Sequence, residues 1–321
     1  MIYRLYIIGK NTFTETLRQP IYAVIITLAL FLFLMSPSIT MYSLDEDIKL
    51  LRELGLSTLF LAGLFIAIFS AAGAVTEEIE TKTITTVLSK PIRRPTFILG
   101  KFCGVTAAII LAHYICTIAM ILVIRHGVLE SASDEHDWPV IVTTIVVVTA
   151  TLLLTALLNY TYDWNFPSTA IALTAIFATF GVIFLCLIDK EWRFNPHNNT
   201  IVTFDLYGSL LLLLAVILLV ALAILFSTRF NIVLTLTCCI GVFFLGLISD
   251  YVFGRFAQDH LWAKIGKILV PNFQVFWISD AIYEGSQIPV NYLIISAVYA
   301  VLYTAGILMG AIALFQRRQI G

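Results

Sequence analysis

Apolar runs of about 20 residues, nearly free of charge, recur along the whole chain and decide its fold class. A run of that length is what a helix needs to cross the ~30 Å hydrocarbon core of a bilayer. Eight runs fit, at roughly 20–42, 56–75, 101–124, 139–160, 168–188, 208–227, 231–252 and 291–314. The chain has 321 residues, 60% hydrophobic and 12% charged, about half the charged share of a soluble domain. It reads as an all-α polytopic membrane protein with one transmembrane domain over 1–321 and no room for a separate soluble domain. The turn at 161–168 holds no Lys or Arg. The hairpin 139–188 therefore reads either as two full spans or as a shallower pair.

Charge orients the spans. With both termini in the cytoplasm, cytoplasmic segments hold Arg4, Lys10, Arg18, Lys82, Lys90, Arg93, Arg94, Lys101, Arg229, Arg317 and Arg318, which is 11 of the 19 basic residues. That bias agrees with the positive-inside rule. Acids set orientation only weakly, but most cluster on the other side, as in the first outer loop, SLDEDIK.

One polar interruption differs from the rest. Residues 76–101 read TEEIETKTITTVLSKPIRRPTFILGK. Glu77, Glu78 and Glu80 open it and Lys82 follows. Ile84, Val87 and Leu88 share one helix face by their spacing. Pro91 breaks the pattern, Arg93 and Arg94 follow, and Pro95 suits the first turn of a new helix. A short turn between spans needs none of this, so the segment reads as a docking element for a soluble partner. Residues 1–19 read as an amphipathic interfacial helix rather than a cleavable leader, although Gly9 interrupts its apolar face. Within 253–290, Phe256, Leu261, Trp262, Ile265, Ile268 and Leu269 recur at helical spacing, as expected of a helix on the outer membrane surface. The aromatic residues that follow suit the headgroup level.

Gly100/Gly104 and Gly306/Gly310 form GxxxG pairs, which serve packing within a chain or a dimer face. The five cysteines all lie in apolar runs and read as small buried residues rather than a disulfide framework. No Walker A sequence, HExxH or GxSxG occurs, so neither nucleotide hydrolysis nor these hydrolytic chemistries are expected of this chain. His113 is an intramembrane ionisable residue and so a functional candidate, but beside Tyr114 and Cys116 it also reads as packing. Asp134, Glu135, His136 and Asp137 form either a solvated turn or an outer cation site. Asp205, Asp250 and Arg255 sit at outer span ends where charge reaches water. Little charge lies mid-span, which argues against a proton-relay antiporter or voltage sensor.

The order of amphipathic helix, span, short loop, span and then EEIETKTITTVLSKPIRRPTFILGKF resembles the permease subunit of ATP-binding-cassette (ABC) transporters of the type-two export family. The family's connection between its second and third spans carries acids, a basic residue, a Thr-x-x-x-Leu-hydrophobic segment, a Pro-basic turn and a Gly-Lys. Here these match Glu77, Glu78, Glu80, Lys82, Thr83, Val87, Leu88, Pro91, Arg93, Arg94, Gly100 and Lys101. PNFQVF, DAIYEGSQIPVNYL and the terminal LFQRR resemble the carboxyl end of such permeases. The sequence departs from the pattern in having the extra hairpin 139–188 beside a six-span core, and in Gln319 where an acid often follows the basic pair.

The resemblance implies a non-enzymatic subunit in the inner membrane of a prokaryote, exporting cargo as a dimer with a second permease copy or paralogue. A separate ABC ATPase subunit would bind ATP and Mg, so no cofactor is expected in this chain; nor is nucleic acid expected as a partner. The segment 76–90 would be a coupling helix. Ile84, Val87 and Leu88 would enter an ATPase groove and the glutamates would meet basic groups, while Arg93 and Arg94 would meet either the partner or anionic lipid headgroups. Two other classes fit a polytopic chain, a non-transporting scaffold and a lipid-modifying membrane enzyme. The latter calls for clustered acid, His or Ser residues at one depth, which the sequence does not display. A secondary transporter calls for internal repeats or intramembrane charge.

Overall fold

The computed structural model describes residues 2–40, 47–77, 93–128, 136–196, 203–256, 260–285 and 287–317. Helix α1 (Ile2–Arg18) ends at Gln19, and Pro20 opens α2 (Pro20–Thr40). Next comes α3 (Asp47–Ala72), whose last turn widens into a π-turn, Gly73–Glu77. The longest helix is α4 (Arg94–His126). The antiparallel pair α5 (Trp138–Tyr162) and α6 (Phe166–Leu185) follows, then α7 (Thr203–Ser227). Beyond α8 (Ile232–Leu247) come the π-turn Asp250–Gly254, the short helices α9 (Leu261–Leu269) and α10 (Ser279–Glu284), and finally α11 (Val290–Gln316). No strand occurs among the described residues, only an isolated bridge between Ile188 and Phe194.

Local chemistry sets several boundaries. Asp137, Asn165 and Asn231 each accept a hydrogen bond from the backbone N–H three residues on, at Val140, Ser168 and Leu234. These are N-caps, which satisfy amides that the first turn leaves unpaired. Asp163 takes a left-handed backbone conformation (φ 52°) to end α5.

Seven helices among the described residues are long and apolar enough to cross a membrane: α2, α3 with its π-turn, α4, α5, α6, α7 and α11. The chain is therefore an integral, multi-pass membrane protein. The eighth run expected at 231–252 does not form one long helix. Instead α8 has 16 residues, about 24 Å at 1.5 Å per residue. The helical path breaks at Ile248 and resumes in the π-turn Asp250–Gly254, and the returning chain meets it at the break. The Phe273 N–H donates to the Gly246 carbonyl at 3.2 Å, taking an acceptor that a continuing helix would use itself.

Helices α3, α4 and α7 form the centre. Ala67, Ala71, Ala108, Ala215 and Ala223 are buried there among larger apolar side chains. Aromatic contacts tie the loop-rich end to this centre, with Phe60 against Phe243 at 4.8 Å and against Trp277 at 5.7 Å between ring centroids. Within 253–290, α9 spans Leu261–Leu269. Leu261, Ile268 and Leu269 point away from the protein, and Lys267 pairs with Asp250 at 3.3 Å.

The α5–α6 hairpin stands at the periphery. Its helices have 25 and 20 residues, about 37 and 30 Å long, so it is a full-length pair rather than a shallow one. Arg125, at the end of α4, fastens it. Its Nε lies 3.2 Å from Asp137 Oδ2, one terminal nitrogen donates to the Ile188 carbonyl at 2.8 Å, and the other donates to the Leu185 carbonyl. Both charged side chains are buried. Asp137, expected in a solvated turn or a cation site, thus serves an internal ion pair and the α5 N-cap. The tripeptide Asp-Trp-Pro supplies the cap and the helix start, but nothing in it reveals Arg125 as the partner.

Arg125→Ala leaves the Asp137 carboxylate buried and unpaired, at a cost of about 3–5 kcal/mol. In detergent, the thermal midpoint is expected to fall markedly, with early protease access to the hairpin. The double replacement Arg125→Met with Asp137→Leu is expected to recover only part of the loss, because it removes the unpaired charge but not the need of the α5 N-cap and the Leu185 and Ile188 carbonyls for partners.

Candidate functional site

The connection between α3 and α4 is the segment on which the sequence concentrates its functional signals. Glu77 closes the π-turn at its start. Glu78, Glu80, Lys82, Ile84, Val87 and Leu88 lie outside the described residues. Arg93 and Arg94 stand at its far side, where α4 begins.

The surroundings of this connection are built from three helix ends. Arg94 donates to the carbonyls of Phe315 and Gln316 at 3.2 and 2.6 Å, and its guanidinium lies 6.0 Å from the Phe315 ring centroid. Phe315 stacks on Phe97 at 5.7 Å. Arg229, just past α7, donates to the Leu314 carbonyl at 3.0 Å. Two cations therefore cap the last turn of α11, where unpaired carbonyls and the helix dipole favour positive charge. Arg94, expected to meet a partner or lipid, makes these contacts within the chain. Arg93 is exposed, and its carbonyl accepts from the Phe97 N–H at 3.2 Å.

Helix α1 lies across the start of α4. The approach is close because three glycines meet. A Cβ on Gly104 would sit 2.5 Å from the Gly9 carbonyl oxygen and 2.7 Å from Thr12 Cβ, and one on Gly100 would sit 2.6 Å from Ile8 Cγ2. Gly100 and Gly104 are the residues that let α1 close on α4, whereas a Cβ on Gly9 would meet its neighbours only at 3.5–3.8 Å, an ordinary contact distance. Lys101 is buried beneath α1, 3.7 Å from Glu15 and 5.8 Å from the Phe97 ring centroid. Of the two GxxxG pairs, Gly100/Gly104 packs within the chain. A Cβ at Gly306 meets open space, and one at Gly310 would touch only Leu225.

A second cluster lies in the core. His113 Nε2 is 2.9 Å from the Ser209 carbonyl oxygen and 3.0 Å from Ser209 Oγ, which in turn lies 2.6 Å from Thr117 Oγ1. A carbonyl only accepts, so the bond to it assigns the proton of neutral His113 to Nε2. Its buried Nδ1 has no hydrogen-bond partner among the described residues. One helical turn away, Asp205 lies 3.1 Å from Arg52 Nε, and the Arg52 guanidinium stands 6.0 Å from the Phe204 ring centroid. Asp205, placed by sequence at a water-accessible span end, is instead buried. The seam links α3, α4 and α7 through hydrogen bonds and one ion pair. Its bonded partners lie far apart in sequence, His113 96 positions and Thr117 92 positions from Ser209. His113 and Asp205 stand out in the sequence as charged or ionisable residues, but nothing local joins them to their partners.

Among the described residues no group of three or more His, Cys, Asp or Glu is placed to hold a metal ion. The seam's chemistry is that of a cross-link between helices. At the start of α4, in contrast, contacts join α1, α4, α11 and the end of α7 to one another. In comparisons with known proteins, no family model matches the chain and no curated protein matches it.

Gly104→Leu places a branched side chain where the α1 backbone lies, and the expected result is displacement of α1. A disulfide engineered between Gly9→Cys and the native Cys103, whose Cβ would lie 3.8 Å away, should form with glycine at 104 and fail in the Gly104→Leu background. In the seam, Ser209→Ala is expected to cost about 0.6–1.7 kcal/mol, the scale of hydrogen bonds between membrane helices, read as a lower thermal midpoint.

Proposed function

We propose that this protein is the membrane-spanning subunit of an ATP-driven exporter of the type-two ABC family, powered by a separate ATPase that docks on residues 76–101. The observation that carries the proposal is the placement of that segment. It is the most elaborate polar connection in the sequence, and it joins α3 to α4, two of the three central helices. A force applied there acts directly on the core. The arginine-capped end of α11 and the glycine contact of α1 lie at the start of α4, so movement of the segment would reach α1, α7 and α11 as well. The chain carries no Walker A sequence of its own, which calls for an external source of energy.

In this reading, the end of the bundle that holds α1 and the α11 terminus faces the cytoplasm of a prokaryotic cell. Ile84, Val87 and Leu88 present an apolar stripe to the ATPase, flanked by Glu77, Glu78, Glu80 and Lys82. Arg93, exposed at the start of α4, faces the partner or lipid, while Arg94 braces the site from within. ATP-driven closure of the partner then tilts α3 against α4. A second permease copy or paralogue completes the transporter.

Val87→Asp with Leu88→Asp puts two charges on the docking stripe. Reconstituted with its ATPase, the double variant is expected to lose copurification and permease-stimulated ATP hydrolysis while inserting in the membrane at parental levels. Unchanged stimulation would overturn the docking assignment.

A further inference from the structure

The α5–α6 hairpin carries a groove that the proposed export function does not use. Its cavity of about 370 Å³ lies between the two helices, within the range of pockets that take small-molecule ligands. Val142, Val146 and Ala150 form one wall and Phe177, Phe180 and Phe184 the other. From Val142 to Ala150 the wall runs about 12 Å along α5. Gly181 closes the floor by bringing α6 against Thr143 and Val147. Phe180, Val146 and Phe184 remain exposed, so the groove opens to the surroundings of two membrane-spanning helices.

The rim is a second observation. Trp192 lines the mouth, on the turn after α6. Its backbone is left-handed (φ 62°), a conformation that glycine adopts freely and a bulky side chain adopts only under strain. The turn is fixed by hydrogen bonds between Asp189 and Arg193 and from the Asn195 N–H to the Leu187 carbonyl. The strain holds an indole, the side chain favoured at headgroup depth, over the end of a hydrocarbon-lined slot. Lys190 and Arg193 flank it on the exposed side. Strained residues of this kind collect at ligand clamps.

We propose that this groove is a site for one phospholipid acyl chain, entering from the leaflet on the loop-rich side, with Trp192 as the clamp over the chain at headgroup level. The occupant follows from the setting. Hydrocarbon surrounds the groove and its lining offers almost no polar group. Left empty, it would deprive three phenylalanines and two valines of van der Waals partners. Bulk lipid is as apolar as the groove, so selectivity comes from shape and from the clamp, and the signature is slow exchange relative to lipid elsewhere on the surface.

The test uses the full chain in nanodiscs of phosphatidylcholine and phosphatidylglycerol, with a phosphatidylcholine carrying a mid-chain diazirine as probe. After illumination, peptides covering 142–150 and 177–192 should be labelled several-fold above the exposed faces of α2 and α11. Val146→Phe and Ala150→Phe, which fill the groove, should each lower that labelling several-fold. Ile145→Phe, exposed on the same helix but outside the lining, should not. Trp192→Gly should lower labelling while raising the thermal midpoint, because it relieves strain as it removes the clamp. Even labelling over all lipid-facing helices, or equal labelling in the Val146, Ala150 and Ile145 variants, overturns the site. Unchanged labelling in Trp192→Gly overturns the clamp.

Discussion

In hydrocarbon, a polar group has no partner except another part of the chain. Most of the specific contacts in this protein follow from that condition. The unpaired carbonyls at the end of α11 are met by Arg94 and Arg229. The first amides of α5, α6 and α8 are met by Asp137, Asn165 and Asn231. Inside the core, His113 turns to Ser209 and Asp205 to Arg52. Each contact satisfies a local need, and each also fixes the position of one helix against another.

The two ends of the bundle are built differently as a result. At the end holding α1 and the α11 terminus, glycines replace bulk so that α1 can lie directly on α4, and arginines bind helix carbonyls. At the other end, ion pairs and side-chain hydrogen bonds join different helices. Arg52 meets Asp205 and Arg125 meets Asp137, and Tyr283 donates to Glu53 while its carbonyl accepts from Lys49. The proposed docking segment emerges at the glycine-and-arginine end, where close backbone contact would pass a displacement on with little slack.

The hairpin obeys the same condition with fewer partners. Helix α5 is largely exposed, and Arg125 alone gathers the start of α5, the end of α6 and the following turn. Helix α6 also reaches the core along its length, where Ile171 and Ala175 are buried and Thr179 Oγ1 lies 2.7 Å from the Tyr114 hydroxyl of α4. The outer side of the pair, which faces away from the core, carries the surface groove between the two helices.

Hydrophobic run length alone determined that the chain is polytopic and helical, because no other local pattern satisfies a backbone across ~30 Å of hydrocarbon. It also marked α1, α9 and the start of α4 through charge, amphipathic spacing and proline. The stripe of Ile84, Val87 and Leu88 is visible only there, since it lies outside the described residues. Run length gave one span at 231–252 and could not register the break near Ile248, where α8 gives way to the π-turn Asp250–Gly254 and the Phe273 N–H donates to the Gly246 carbonyl. Tertiary structure alone decided which charges are buried. Asp137 and Asp205 look solvated at span ends, and Lys101 looks interfacial. Each is enclosed because a partner or a covering helix arrives from elsewhere in the chain. The same holds for Gly104, one of a GxxxG pair in the sequence, where the space a Cβ would fill is taken up by the Gly9 carbonyl of α1 once the two helices close. Sequence records what each residue needs, and only the packed chain shows which distant residue supplies it.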